Sequence, residues 1–204
     1  MMVTFRNKSH SSLSVTFYFL KKGENMKNNK IQSLVFNAVI ASIYVVLTLV
    51  FAPFSYSTKL LFIELRISET LLVLTFYNKK YGPGLIIGCF LANLLGSTLG
   101  IIDWVFGTMQ TALSVLTYLL IKKLPLKQIP KLAIGTLINS IHCGIIIGGV
   151  LTYAYCDSNN YIAYFFTQFL GVFIGEIIIL TVGIVIFELA FRNKSFKKII
   201  GVEE

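Results

Sequence analysis

The sequence predicts an all-α, polytopic membrane protein with six transmembrane helices. Three observations carry that prediction. Six apolar stretches, 31–54, 60–77, 82–102, 104–121, 132–156 and 161–191, fill about two-thirds of the 204 residues, and each is about long enough to cross a ~30 Å hydrocarbon core as helix. Only 13% of residues are charged and 55% are hydrophobic, with a mean hydropathy of +0.76, whereas soluble domains carry about one-quarter charged residues. Sixteen of the 18 Lys and Arg residues fall before the first stretch, between the second and third, between the fourth and fifth, or after the sixth. Basic residues gather on cytoplasmic loops, so this alternation predicts both termini inside and six crossings. A soluble enzyme, a disulfide scaffold, a disordered chain and a large extramembrane domain are excluded. The net charge of +9 is a topology and lipid-contact signal, not a nucleic-acid signal.

Residues 1–25 stand apart. Their apolar run, Leu13 to Leu20, is short, is interrupted by Ser14 and Thr16, and leads into Lys21-Lys22-Gly23-Glu24-Asn25 without a small-residue cleavage site, which argues against a secretory signal. The codons for Lys-Lys-Gly-Glu-Asn can spell a purine-rich ribosome-binding site just before Met26. The expectation is therefore a non-native or disordered extension at 1–25 and a transmembrane domain at 26–204.

Within that domain, close helix packing in lipid needs small residues. Helix one carries Ala38, Ala41 and Ser42, a patch that either packs internally or meets another membrane protein. Helix three carries Gly84, Gly88, Ala92, Gly96 and Gly100 at four-residue spacing; helix five carries Ser140, Gly144, Gly148 and Thr152; helix six carries Thr167, Gly171 and Gly175. Cys89, Cys143 and Cys156 have no metal-ligand spacing and an odd count, so they read as small buried hydrophobes.

Ionisable residues inside a bilayer are costly and usually mark function. The second stretch holds Glu64, Arg66 and Glu69; Asp103 sits between helices three and four; Glu176 is at the middle of helix six; Asn93, Asn139, Gln110 and His142 are neutral polar additions. The predicted topology puts these residues in the outer half or middle of the membrane, as a pocket open to the outside. Arg66 and Glu69 share a helical face at three-residue spacing, while Glu64 lies either about 140° away on that helix or in a non-helical approach to it. Acids outnumber cations, so the expected guest is cationic or rich in hydrogen-bond donors. Phe106, Trp104, Tyr56 and Tyr153 offer flat faces nearby. His142 and Ser140 are two apart and point in different directions, which weakens an intramembrane hydrolase. No phosphate-binding loop is present, so a concentrative transporter built on this chain needs energising partners.

The segments Glu64-Leu65-Arg66-Ile67-Ser68-Glu69-Thr70, Phe90-Leu91-Ala92-Asn93-Leu94, Asp103-Trp104-Val105-Phe106-Gly107-Thr108 and Ile174-Gly175-Glu176 together resemble the QueT family, the queuosine-precursor S-components of energy-coupling-factor (ECF) importers. The resemblance runs from about Asn37 to Phe187. It implies an S-component-like six-helix bundle that binds a micronutrient near the outer face and docks on a transmembrane coupling subunit driven by two ATPases. It also implies toppling in the membrane to release the guest. The chain itself would hold no cofactor and no metal; ATP would be used by the partners. The implied cargo is 7-aminomethyl-7-deazaguanine or queuine. The adjacent N–H donors of such a base suit carboxylates, and its ammonium suits a second acid.

The expected roles are Glu69 or Glu176 on the base edge, Glu64 or Asp103 near the ammonium, and Arg66 orienting Glu69 and contacting the carbonyl oxygen of the guest. Asn93 and Asn139 would satisfy the remaining polar atoms, and Phe106 would stack. Ala38 and Ser42 stand where the family has a small-xxx-small pair, so with Ala41 they form the expected partner face. The expected location is the plasma membrane of a low-GC Gram-positive bacterium. The alternatives are an S-component for another vitamin or nitrogen-rich nutrient, a membrane-embedded enzyme using His142, and a small channel lined by Asn93, Glu176 and Asp103.

Overall fold

The computed structural model describes residues 9–56, 64–156 and 160–193, with side chains from residue 30 onward. Two compact units result, 1–36 and 37–204. In the first, the described side chains, 30–36, are exposed or half-buried. The side chains of the extension expected at 1–25 lie outside the described residues. The elements in order are α1 (Ser9–Val50), α2 (Ala52–Ser55), a 3-10 turn (Ile67–Leu72) running into α3 (Val73–Tyr77), a second 3-10 turn (Lys79–Tyr81), α4 (Gly82–Gly96), α5 (Ile101–Ile121), α6 (Gln128–Tyr155) and α7 (Tyr161–Ala190). Among the described residues there is no strand.

Among the described residues, four segments are long and apolar enough to cross a membrane: Lys30–Val50, Ile101–Ile121, Gln128–Tyr155 and Tyr161–Ala190. The second and third of the six expected transmembrane stretches are not among them. Among the described residues the second stretch forms the 3-10 turn and α3, roughly 20 Å of rise between them. Its polar residues explain the tight winding: Thr70 Oγ1 donates to the Ile67 carbonyl at 2.8 Å and Thr75 Oγ1 to the Leu72 carbonyl at 2.7 Å, each three residues back. Ser68, Glu69, Thr70 and Leu72 are buried in protein, where irregular backbone at membrane depth is tolerated. The third stretch breaks at Ser97, and the chain turns through Gly100 before α5 starts.

Small residues set the packing. A side chain at Gly84 would meet the Asn37 backbone at 2.6 Å, and one at Gly88 would meet Tyr44 Cβ at 2.9 Å and Ala41 Cα at 3.0 Å. Helix α4 therefore lies directly on α1. Gly144 and Gly148 seat Phe169 of α7 against α6: a Cβ at Gly144 would meet its ring at 2.9 Å and one at Gly148 its backbone at 3.0 Å. A Cβ at Gly183 would meet the Thr70 carbonyl oxygen at 2.9 Å, so glycine lets the 3-10 turn lie against α7. On its other side the 3-10 turn is held by α1, where Thr48 Oγ1 donates to Ser68 Oγ at 2.7 Å. At the far end of α7, Glu188 Oε1 accepts from Tyr77 Oη and Gln128 Nε2, each at 2.5 Å, tying α3, α6 and α7 together.

Gly100 has φ 62° and ψ −135°, a conformation open essentially to glycine alone. Its carbonyl accepts from the amides of Asp103 and Trp104, both at 3.1 Å, so this turn sets where α5 begins and where Asp103 stands. Gly100→Ala is expected to cost about 1–3 kcal/mol, read as a lowered midpoint in thermal unfolding of the purified protein.

Candidate functional site

The polar residues singled out from the sequence come from five elements. Glu64 and Arg66 lie on the extended approach to the first 3-10 turn and Glu69 lies within it. That approach is pinned to α2 by the Leu65 amide, which donates to the Phe54 carbonyl at 2.8 Å. Asp103 is in the first turn of α5, where the helix dipole favours a carboxylate. Asn93 comes from α4, Asn139 from α6 and Glu176 from α7.

These residues form one connected track. Arg66 Nη2 donates to Glu64 Oε1 at 3.2 Å, and its Nη1 lies 3.7 Å from Glu69 Oε1. The carboxylates of Glu69 and Glu176 and the Cys143 sulfur lie within 4.8 Å of one another. Asn139 Nδ2 donates to Glu176 Oε1 at 2.6 Å. Arg66 is 5% exposed, Glu69 2% and Glu176 5%. Asp103 shares a cleft with Tyr56, Glu64 and Arg66, and Asn93 Nδ2 donates to its carbonyl at 3.2 Å. The Arg66 guanidinium stands 5.7 Å from the centre of the Tyr56 ring, within cation–π range. Tyr56 is fixed in turn by its hydroxyl, which donates to the Ala92 carbonyl at 2.7 Å.

Four acids thus face one guanidinium along the track. Four side-chain acceptor oxygens, Glu64 Oε2, Glu69 Oε2, Asn93 Oδ1 and Asn139 Oδ1, accept no hydrogen bond among the described residues, and the donors Arg66 Nε, Tyr44 Oη and Trp104 Nε1 are likewise unmatched. Buried acceptors without donors are costly, so the track favours a guest that brings N–H groups or positive charge. The cleft above it, lined also by Ser97, Leu99, Leu151 and Tyr155, offers about 20 Å³ to water centres, which is room for about one water molecule.

The QueT transporter family model matches residues 34–191. The chain belongs to the QueT transporter family. It is 35% identical over 88 residues to the queuosine precursor transporter QueT of Lactococcus lactis subsp. cremoris, an alignment covering 42% of this chain and 48% of that relative. The matched part thus spans about half the length of that curated relative. No solved structure matches the chain.

The family is one of transporters and not of enzymes. His142 Nδ1 lies 2.9 Å from Gln110 Oε1 and its Nε2 3.2 Å from Thr117 Oγ1, so among the described residues both nitrogens face neutral groups. Phe106 is not brought to the track. It is 41% exposed and lines an apolar groove of about 540 Å³ between α5 and α6, with Ile102, Met109, Ile145, Ile146 and Tyr153 among its neighbours. The helix-one patch divides: Ala41 is buried against Gly88 of α4, while Ala38 and Ser42 stay exposed.

The residue the sequence reading left out of the site is Cys143. Its signal was its four-residue spacing from Asn139, which places both on one face of α6.

Proposed function

We propose that this chain is the substrate-binding subunit, or S-component, of an ECF-type importer, taking up a queuosine precursor such as 7-aminomethyl-7-deazaguanine or queuine. The observation that carries this reading is the buried track in which the carboxylates of Glu64, Glu69 and Glu176 share one guanidinium, among the described residues. A guanine-like edge presents adjacent N–H donors that a carboxylate accepts in pairs. Glu69 and Glu176 meet that edge, Asn139 and Asn93 take the remaining polar atoms, and Glu64 and Asp103 stand nearer the cleft for an ammonium. Arg66 holds Glu64 and Glu69 in place.

The name of the Lactococcus relative supports the cargo class. Admitting a two-ring base requires the side chains at the mouth, Leu99, Leu151 and Tyr155, to swing outward.

In this reading the four long spans, the 3-10/α3 segment and α4 make six passes. The alternating basic loops place both termini on the cytoplasmic side. Ala38 and Ser42 on α1 face the coupling subunit, and two partner ATPases supply ATP hydrolysis. An S-component for a different nitrogen-rich nutrient is the second reading, favoured by the same surplus of carboxylates.

Titration of the purified full chain with 7-aminomethyl-7-deazaguanine, queuine and guanine separates the two. Stoichiometric binding of a deazapurine without turnover, weakened at least tenfold in Glu69→Gln, is the expected result. Absence of binding to every deazapurine would overturn the cargo.

A further inference from the structure

We propose that Glu69, Cys143, Glu176 and Asn139 form a buried site for a thiophilic divalent cation, of the zinc and cadmium class, where the 3-10 turn meets α6 and α7. The ligand atoms of Glu69, Cys143 and Glu176 come from the 3-10 turn, α6 and α7, yet lie within 4.8 Å of one another, and all three residues are buried. A second observation points to a guest between them. Asn139 is fully buried and its amide nitrogen is taken by Glu176, which leaves Oδ1 unmatched beside the cluster, as is Glu69 Oε2. The balancing charge is shared out: Arg66 lies closer to Glu64, at 3.2 Å, than to Glu69, at 3.7 Å. Glu176 takes the neutral Asn139 amide at 2.6 Å and otherwise faces the Glu69 carboxyl group, with no cation at hydrogen-bond distance among the described residues.

The donor set fixes the class of ion. Carboxylate oxygen, a sulfur and an amide oxygen suit zinc or cadmium, whereas magnesium and calcium take oxygen ligands. Binding exchanges one bond for another: the Cys143 S–H breaks, a sulfur–metal bond forms, and the proton leaves to solvent. Cys143 packs one turn from Ile147 in a buried apolar cluster, and Ile147 lines the cleft, so an entering ion must displace that packing.

Glu69 and Glu176 are also the proposed ligands of the base, so cation and base exclude each other. That exclusion rests on the proposed function; the cation site does not.

The test is titration of the purified full chain in nanodiscs with cadmium, following the ultraviolet thiolate-to-cadmium charge-transfer band and proton release in weak buffer. One cadmium per chain is expected, with the band kept in Cys156→Ser, lost in Cys143→Ser, and shifted to at least tenfold higher cadmium in Glu176→Gln. Cys143→Ala serves if the serine variant fails to fold. No band, or a band that survives loss of Cys143, overturns the site. Excess 7-aminomethyl-7-deazaguanine should suppress the band; base binding that leaves the band untouched overturns the exclusion. A band in a protein that binds no deazapurine sinks the cargo assignment and keeps the cation site. Deazapurine binding without a band does the reverse.

Discussion

Arg66→Met is expected to destabilise the protein by about 3–5 kcal/mol, the usual result of removing one partner from a buried ion pair. Arg66 is the single cation of the track among the described residues, and it bridges Glu64 at 3.2 Å and Glu69 at 3.7 Å. Without it, two buried carboxylates lose their counter-charge and Tyr56 loses the guanidinium beside its ring. Methionine keeps most of the apolar stem, so the loss reports charge more than volume. Thermal unfolding of the purified protein gives the size of the effect. The double variant Arg66→Met/Glu64→Gln restores part of the balance and is expected to recover a measurable share. A single variant as stable as the parent would show that the guanidinium does not hold the acids together.

Glu176→Gln is expected to weaken deazapurine binding by about ten- to 150-fold, equivalent to a hydrogen bond to a charged group worth ~1.5–3 kcal/mol. Glutamine retains a side-chain carbonyl that can accept from Asn139, which now donates to Glu176 at 2.6 Å, so the fold should survive. What changes is the charge, and with it the preference for a donor-rich guest. Isothermal titration of both proteins against 7-aminomethyl-7-deazaguanine measures the difference, with circular dichroism confirming equal helicity. Phe106→Ala is the contrast: its ring lines the groove between α5 and α6, so binding should be unchanged. Parent-like affinity in Glu176→Gln would remove the acid pair from the site.

Much of the site was legible because charge in a bilayer is conspicuous. Glu64, Arg66, Glu69, Asp103 and Glu176 stand out from apolar surroundings without any knowledge of the fold. Their grouping was visible only as a shared depth. The approach of Glu69 to Glu176 joins positions far apart in the chain, and it depends on Gly183 admitting the Thr70 backbone, a contact that no local periodicity encodes.

The 3-10 winding was hidden for a related reason. It follows from polar side chains turning into protein in place of lipid, which is a property of neighbours. Phe106 is a different case. Asp103, Gly107, Gln110, Ser114 and Thr117 are all buried and mark one arc of α5, and Phe106 sits about 60° from Asp103 at 100° per residue. It therefore falls just beyond that arc. Cys143 was passed over because cysteine packs as readily as it ligates.

The unequal lengths of neighbouring elements carry a mechanical consequence. Helix α4, with 15 residues, rises about 22 Å, whereas α7, with 30 residues, rises about 45 Å. No single bilayer thickness matches both. Lipid beside the exposed Ile87, Leu91 and Leu95 of α4 must thin, while lipid beside α7 must thicken or the helix must lean.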